Sequence, residues 1–232
     1  MLPQAVKLKR MALDFLFPRR CVGCGREGAF ICSSCQISMP RIMPPLCPKC
    51  GRPQTSGHFC PDCVSWQSDI DGIRSPFRFE GAIRQAVYQL KYRNLRAIVP
   101  TVAGLMAEYL TAAPVPGDVL VPVPLHRKRL RERGYNQSGL LAGELGRIIN
   151  LPVSGGGLER QVNTSSQART AKVDERRDNV FGAFIGREGL EDKRVILIDD
   201  VATSGATLDA CAGALKEAGA ASVWGLTLAR EI

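Results

Sequence analysis

No stretch of this 232-residue sequence stays apolar for the ~20 residues that a membrane-crossing helix requires. The longest apolar patches, such as IVPTVAGLM at 98–106, fall well short, so stable membrane insertion is not expected. An export signal is missing too. The opening MLPQAVKLKRMALDFLFPRR is basic, but its apolar run is short, broken by Asp14 and followed by Arg19 and Arg20. It reads instead as a short amphipathic helix packed on the rest of the chain, and the cytoplasm is the expected location. The G-x-x-x-x-G-K-[ST] signature is absent, which excludes a Walker-type nucleotide loop. Aromatic residues make up only 6% of the chain, and Trp66 and Trp224 read as packing residues.

Apolar residues supply 45% and charged residues 23%, enough for a globular core of useful size. The length suits one α/β domain with a small appendage. A formal net charge of +9 points to an anionic partner or substrate. That excess shrinks to about +5 if eight cysteines are thiolates on two Zn²⁺ ions. Charge alone therefore argues only weakly for nucleic acid.

Eight of the nine cysteines fall in four C-x-x-C pairs: Cys21 and Cys24, Cys32 and Cys35, Cys47 and Cys50, Cys60 and Cys63. Each pair is the knuckle of a zinc ribbon, and four thiolates satisfy tetrahedral Zn²⁺. Without an export signal, metal is favoured over disulfides. Redox dithiols and iron–sulfur ligation are the competing chemistries. Sequential pairing puts Cys21, Cys24, Cys32 and Cys35 on one ion and Cys47, Cys50, Cys60 and Cys63 on the other; an interleaved arrangement satisfies the same spacing. Gly25 and Gly51 each follow the second cysteine of a knuckle, where a positive φ is often needed. Both ions are structural in this reading, since no ligand position is left open. His58, beside Cys60, reads as a ribbon-surface residue, and Cys211 as a buried thiol.

The chain changes character after the cysteines, and the expected units are residues 1–66 and 67–232. IRSPFRFEG reads as extended, AIRQAVYQLKY and AIVPTVAGLMAEYL as helices. VLVPVP is a short strand followed by a basic loop, LHRKRLRERG, and then by the helix YNQSGLLAGELGRIIN. LPVSGG opens with a short strand and ends in a turn. Residues 158–180 read as a loop, and VFGAFI as an edge or hairpin strand. VILIDD is a buried central strand, TLDACAGALKEAGA its helix and SVWGLTLAR a further strand. The sum is a mostly parallel sheet flanked by helices.

Asp199 and Asp200 end that central strand, and ligands of open α/β sheets bind at the carboxyl ends of strands. Carboxylates there accept hydrogen bonds from sugar hydroxyls or hold Mg²⁺ through water. Ala202, Thr203, Ser204, Gly205, Ala206 and Thr207 follow. Their small side chains expose backbone N–H groups at a helix start, an anion cradle. A diol grip beside a phosphate grip fits a phosphorylated ribose. A plain strand–helix turn with Ser/Thr capping, or an acidic site like that of response regulators, would use the same residue types.

The stretch VILIDDVATSGATL resembles the phosphoribosyl pyrophosphate (PRPP) motif of type I phosphoribosyltransferases. The resemblance implies that Asp199 and Asp200 hold the ribose hydroxyls and that 202–207 hold its phosphate. Over nearly its whole length the chain is similar to the ComF/GntX-like family, a double zinc ribbon joined to a type I phosphoribosyltransferase-like domain. The likeness rests on the cysteine pairs, on VPVPLHRKRLRERGYNQSGLLA, and on Thr164, Gln167, Arg176, Asn179, Val180, Gly182, Ala183 and Phe184.

In the resembled fold, the loop after the first core strand binds pyrophosphate. That role falls on backbone groups near Leu125 and His126, with Arg127 and Arg129 as charge partners and Arg133, Asn136 and Gln137 bracing the loop. A solvated basic face is the alternative for any one arginine. The region 160–177 corresponds to a flexible loop closing over PRPP, where Arg169, Lys172 and Arg176 are the catalytic candidates. Lys91 is a substrate-side or supporting residue by the same comparison.

The resemblance also implies a part in DNA uptake or natural transformation, and two functions are compatible with it. One is an Mg²⁺-dependent glycosyl transfer, in which an unidentified acceptor attacks the anomeric carbon of PRPP and pyrophosphate departs. The other is a non-catalytic protein that binds PRPP or a nucleotide, and single-stranded DNA or a helicase-like protein, in the DNA uptake of natural transformation. Phe30, Phe59 and Trp66, with Arg20, Arg26, Arg41, Lys49 and Arg52, are the ribbon residues that could meet a strand. In either case the ribbons can also hood the site or offer a surface for a homo-oligomer.

Overall fold

The structure is a computed structural model that describes residues 18–162 and 182–232. The N-terminal helix expected in MLPQAVKLKRMALDFLFPRR lies outside the described residues, apart from its last three positions.

Two small units open the chain and repeat one backbone pattern. In the first, the Cys21 N–H donates to the Arg26 carbonyl and the Gly25 N–H to the Cys21 carbonyl, both at 2.8 Å. In the second, Cys47 donates to Arg52 at 2.8 Å and Gly51 to Cys47 at 3.0 Å. Gly25 and Gly51 sit at φ +75° and +72°, a region that strains any residue with a Cβ. Each unit closes with a short helix directly after a cysteine: α1 (Ser33–Ile37) after Cys32, and α2 (Pro61–Val64) after Cys60.

The main body is a parallel sheet. Its strands are β1 (Gly72–Arg74), β2 (Phe77–Arg78), β3 (Val119–Pro122), β6 (Arg194–Ala202) and β7 (Ser222–Arg230). The order is β1-β7-β6-β3, with β2 also paired to β7. β6 alternates between the two faces of the sheet, as a strand must. Ile196 and Ile198 enter one core with α3 (Gly81–Tyr92), α4 (Val99–Ala112) and α6 (Gln137–Ile149). Val195 and Leu197 enter the other with α7 (Ala206–Glu217). All four are at most 1% exposed, and burying a side chain of this kind contributes roughly 1.5–3 kcal/mol.

The two cores treat the cysteine units differently. Cys47, Cys50, Cys60 and Cys63 belong to the same core as α7. The first unit meets the other core through Ile31 and Met39, with Val22, Phe30 and Cys35 packed at its margin.

Two local expectations are corrected. The basic segment after β3 is a helix, α5 (Arg127–Arg133), rather than a loop. His126 caps it through Nδ1, which accepts from the Lys128 N–H at 3.2 Å, and Gly134 ends it at φ +80°. Residues 158–160 are not loop: β4 (Leu158–Arg160) pairs antiparallel with β5 (Phe184–Gly186). The strand in VFGAFI is correspondingly short among the described residues. Val153, in LPVSGG, makes one parallel bridge to Leu120 on the outer side of β3.

That bridge defines the sheet's switch point. The chain leaving β3 returns on the outer side, at Val153; the chain leaving β6 returns on the opposite side, as β7. A crevice therefore opens at the carboxyl ends of β3 and β6, where open α/β sheets place their ligands.

Candidate ribose-phosphate site

Asp199 and Asp200 lie near the carboxyl end of β6, at that crevice. Asp199 is half-buried, and Asp200 is 2% exposed. The Asp199 Oδ1 accepts from the Ser138 hydroxyl at 2.8 Å and from the Asp200 N–H at 2.9 Å. Ser138 is itself fully buried at the start of α6, whose cap, Asn136, accepts from the Ser138 N–H and donates through Nδ2 to the Val123 carbonyl at 3.0 Å. The asparagine thus ties the end of β3, the start of α6 and the acidic pair into one frame. Asp200 meets Lys91, on the last turn of α3, with Nζ to Oδ2 at 2.8 Å.

Two carboxylates in sequence, both withdrawn from water, cannot ionise independently. Burial and the neighbouring Asp200 charge push the Asp199 carboxyl up to about 7, against the pull of Lys91 and the Ser138 hydroxyl. Burial pulls the Lys91 ammonium down, but the charges of Asp200 and Asp199 outweigh it and hold its pKa above the ordinary lysine value.

Beyond the acids the chain turns through Thr203 and Ser204 to Gly205, at φ +86°. There α7 begins, and the Ser204 hydroxyl accepts from the Ala206 N–H at 3.3 Å. A Cβ on Gly205 would stand 2.8 Å from Ile73 Cδ1 and 3.1 Å from Trp66 Cη2, so both the backbone angle and the packing require glycine. The loop, 202–207, rests on Trp66, which follows the second cysteine unit.

On the other flank lies a cleft of about 560 Å³ lined by Lys91, Tyr92, Asn94, Arg129, Glu132, Arg133 and Tyr135. Three cations against one acid suit a polyanion. Of the basic candidates, Arg129 lines this cleft, while Arg127 pairs with Glu159 of β4 at 2.9 Å. Leu125 and His126 form the turn between β3 and α5, half-buried, with His126 engaged in capping. Arg133 hydrogen-bonds Gln137 and lies over the Tyr92 ring, so it braces the junction of α5 and α6. Arg169, Lys172 and Arg176 lie outside the described residues.

The cysteines gather sequentially. The Sγ atoms of Cys21, Cys24, Cys32 and Cys35 all lie within 4.8 Å of one another, as do those of Cys47, Cys50, Cys60 and Cys63. Cys24 and Cys32 are 3.5 Å apart and Cys50 and Cys60 3.6 Å, near the edge of about 3.8 Å that a tetrahedron of 2.3 Å Zn–S bonds requires. A disulfide would need about 2.05 Å. Burial raises the Cys47 thiol, but the N–H groups of Cys60, Cys50 and Lys49 bring it down to about 6; burial and the Cys50 charge push Cys63 up. Four thiols in such proximity are a poor apo arrangement and a good Zn²⁺ cage.

Residues 12–64 match the double zinc ribbon domain family, and residues 140–231 the phosphoribosyl transferase domain family. The chain is 32% identical over 209 residues to the competence protein ComFC of Bacillus subtilis, an alignment spanning 86% of this chain and 84% of that one. The chain belongs to the ComF/GntX-like family. Competence protein F of Haemophilus influenzae, another relative, is 28% identical over 92% of this chain and 98% of its own length. The DNA utilization protein YhgH of Escherichia coli K12 is 30% identical over 83% and 87%.

For this ComF/GntX-like chain the phosphoribosyltransferase-like sheet and the two four-cysteine clusters are as expected from the sequence. Two residues that touch the site, Ser138 and Arg230, carry no role in the sequence reading. Ser138 gives one weak signal, a small hydroxyl where a helix begins. Trp66, expected as a packing residue or as a ribbon aromatic meeting a strand, lies against the loop at Gly205. Arg230 ends a mostly apolar strand, and an arginine in that place is its own signal. Its Nη2 donates to the Thr203 carbonyl at 3.4 Å.

Proposed function

We propose that this chain binds PRPP or a related phosphorylated ribose, with Mg²⁺, and serves DNA uptake as a binding protein that also engages single-stranded DNA. Asp199 and Asp200 take the ribose hydroxyls, 202–207 take the phosphate, and the turn at Leu125 and His126 with Arg129 faces the pyrophosphate. Mg²⁺, when bound, neutralises pyrophosphate charge; the acidic pair and the cleft supply its oxygen ligands directly or through water. The observation that carries the reading is the acidic pair and the Gly205 turn side by side at the switch point of the sheet. The names of the relatives, competence proteins and a DNA utilization protein, support the setting.

A second reading keeps the same site and adds phosphoribosyl transfer to an acceptor. The Asp199 carboxyl, pushed up to about 7, favours it, because a group poised near neutrality can accept an acceptor's proton. Arg169, Lys172 and Arg176 then stabilise the departing pyrophosphate.

Calorimetric titration with Mg²⁺ and PRPP separates these outcomes. Binding by the native chain, lost in Asp200→Asn, is expected. No binding by the native chain would overturn the site. Pyrophosphate release with a base, amine or nucleic-acid acceptor would move the chain from the first reading to the second. Anisotropy of a labelled single strand, weakening as salt rises, tests the DNA arm.

A further inference from the structure

Among the described residues, Arg230 is the largest side chain with less than 2% exposure; its own value is 1%. Its Nη2 reaches the Thr203 carbonyl, while Nε and Nη1 meet no hydrogen-bond partner among the described residues. Among the described residues no carboxylate pairs with it. A guanidinium stays charged in proteins, and a buried charge without a counter-charge is strongly destabilising.

A counter-charge stands close by. A cavity of about 10 Å³ is lined by Arg230, Cys50, Cys63 and Ser204, together with Trp66, Arg52 and Asp62. Arg52 and Asp62 neutralise one another as an ion pair. The Cys50 and Cys63 sulfurs remain. As free thiols they carry no charge. Around Zn²⁺, four thiolates leave a net charge of −2 in a dry core, the environment in which such a charge acts most strongly.

The same cluster also touches the loop through packing. Trp66, three residues after Cys63, lies 3.1 Å from where a Cβ on Gly205 would stand. The second unit is anchored to β1 as well: the Ile73 N–H donates to the Lys49 carbonyl at 2.7 Å, and Lys49 Nζ donates to the Ile70 carbonyl at 2.8 Å. The first cluster lies elsewhere, with Cys24 exposed and Gly23 against Ala82 at the start of α3.

We propose that Arg230 couples the second cysteine cluster to the phosphate loop, so that Zn²⁺ on Cys47, Cys50, Cys60 and Cys63 sets the loop's affinity for a phosphate ester. The inference rests on reading 202–207 as that cradle. Zn²⁺ in the second ribbon fixes the guanidinium, the guanidinium fixes the Thr203 carbonyl, and the N–H groups beyond it point at the anion. Loss of the metal leaves Arg230 uncompensated and the loop unheld. Arg230 is a positioning residue in this scheme, and the second ribbon, unlike the first, belongs to the binding site. By linkage, a phosphate ligand must tighten Zn²⁺ binding at that cluster by the same factor that Zn²⁺ raises the ligand's own affinity.

The test uses the full-length, Zn²⁺-loaded protein and a chromophoric chelator. Two phases of release are expected, the faster from the cluster with the exposed Cys24, as a Cys24→Ala variant establishes by removing it. Arg230→Gln should accelerate the slow phase about tenfold and leave the fast phase unchanged, which also reports that the fold persists. Arg230→Lys, which keeps the charge, should recover most of the native rate. An unchanged slow phase in Arg230→Gln, equal acceleration of both phases, or an Arg230→Lys no slower than Arg230→Gln would overturn the proposal. Mg²⁺-PRPP should slow the slow phase of the native protein and not that of Arg230→Gln. PRPP that binds by calorimetry without tightening Zn²⁺ at the second cluster in equilibrium competition with the chelator overturns the coupling. If PRPP does not bind the native protein at all, the phosphate-loop reading falls and the proposal falls with it, while release rates without ligand still tell whether Arg230 and the cluster are tied.

Discussion

Lys91 Nζ lies 2.8 Å from Asp200 Oδ2, joining the last turn of α3 to the end of the central strand β6. The two side chains are 23% and 3% exposed, so the pair is nearly dry. A ligand that takes hydroxyl contacts from Asp200 meets a carboxylate already oriented and half-neutralised. The ion pair therefore presets the acidic end of the site.

Lys91→Met should lower stability by about 3 kcal/mol at neutral pH, because it strands a buried carboxylate beside another. Adding Asp200→Asn should recover part of that loss, since the two changes share one interaction. Urea unfolding of the native protein, both single variants and the double variant measures this. Additive losses would mean that the pair contributes no coupling.

Asp199 makes stability fall as pH rises. Its folded-state pKa is raised to about 7, above the usual aspartate value. The folded state therefore holds a proton that the unfolded state releases between about pH 4 and 7, and stability drops through that window. Asp199→Asn, which can still accept from Ser138, should be more stable than the native chain at about pH 8 by up to a few kcal/mol, and not at about pH 4. Denaturation at both pH values checks the sign. A constant difference would mean that Asp199 ionises as freely when folded as when unfolded.

Gly205→Ala adds a Cβ at φ +86° and at 2.8 Å from Ile73. A destabilisation of about 1–3 kcal/mol is expected, with weaker PRPP binding out of proportion to it, because the cradle and not only the core is displaced. Thermal melts and titration of the same preparation distinguish the two effects.

The cysteine clusters should differ in what their loss does to the whole fold. Cys63→Ser removes a ligand inside the core shared with α7 and should lower the melting midpoint by roughly 10 °C or more. Cys24→Ser acts at an exposed ligand and should unfold little beyond its own unit. Scanning calorimetry of both variants, with Zn²⁺ content measured alongside, decides this.

The parts legible in the sequence were those with local signals. β6 declares itself by an unbroken apolar run, and both clusters follow from C-x-x-C spacing once neighbours in sequence are paired. Contacts between distant segments were harder. The position of Arg127 after β3 aims it at pyrophosphate, yet it pairs with Glu159 once residues 158–160 form a strand rather than a loop. The basic segment became a helix because His126 and Gly134 cap it, and a row of arginines hides that. Ser138 and Arg230 carry at most a local signal, and neither reveals its partner until α6 and β7 bring them to the acids and the loop. Periodicity reports which face of an element is buried, not what it is buried against.

The place of β7 has a consequence for biosynthesis. β7 stands between β6 on one side and β1 and β2 on the other, and it is synthesised after all of them. On the ribosome the two cysteine units emerge first and can acquire metal while their docking strands have nothing to pair with. The sheet closes only when β7 inserts, bringing Arg230 to a cluster that has long been waiting. Sequence-distant pairing of this kind slows folding and leaves unpaired edges exposed during synthesis. If Arg230 couples the second cluster to the loop as proposed, metal supply during translation and successful assembly of the sheet become one problem.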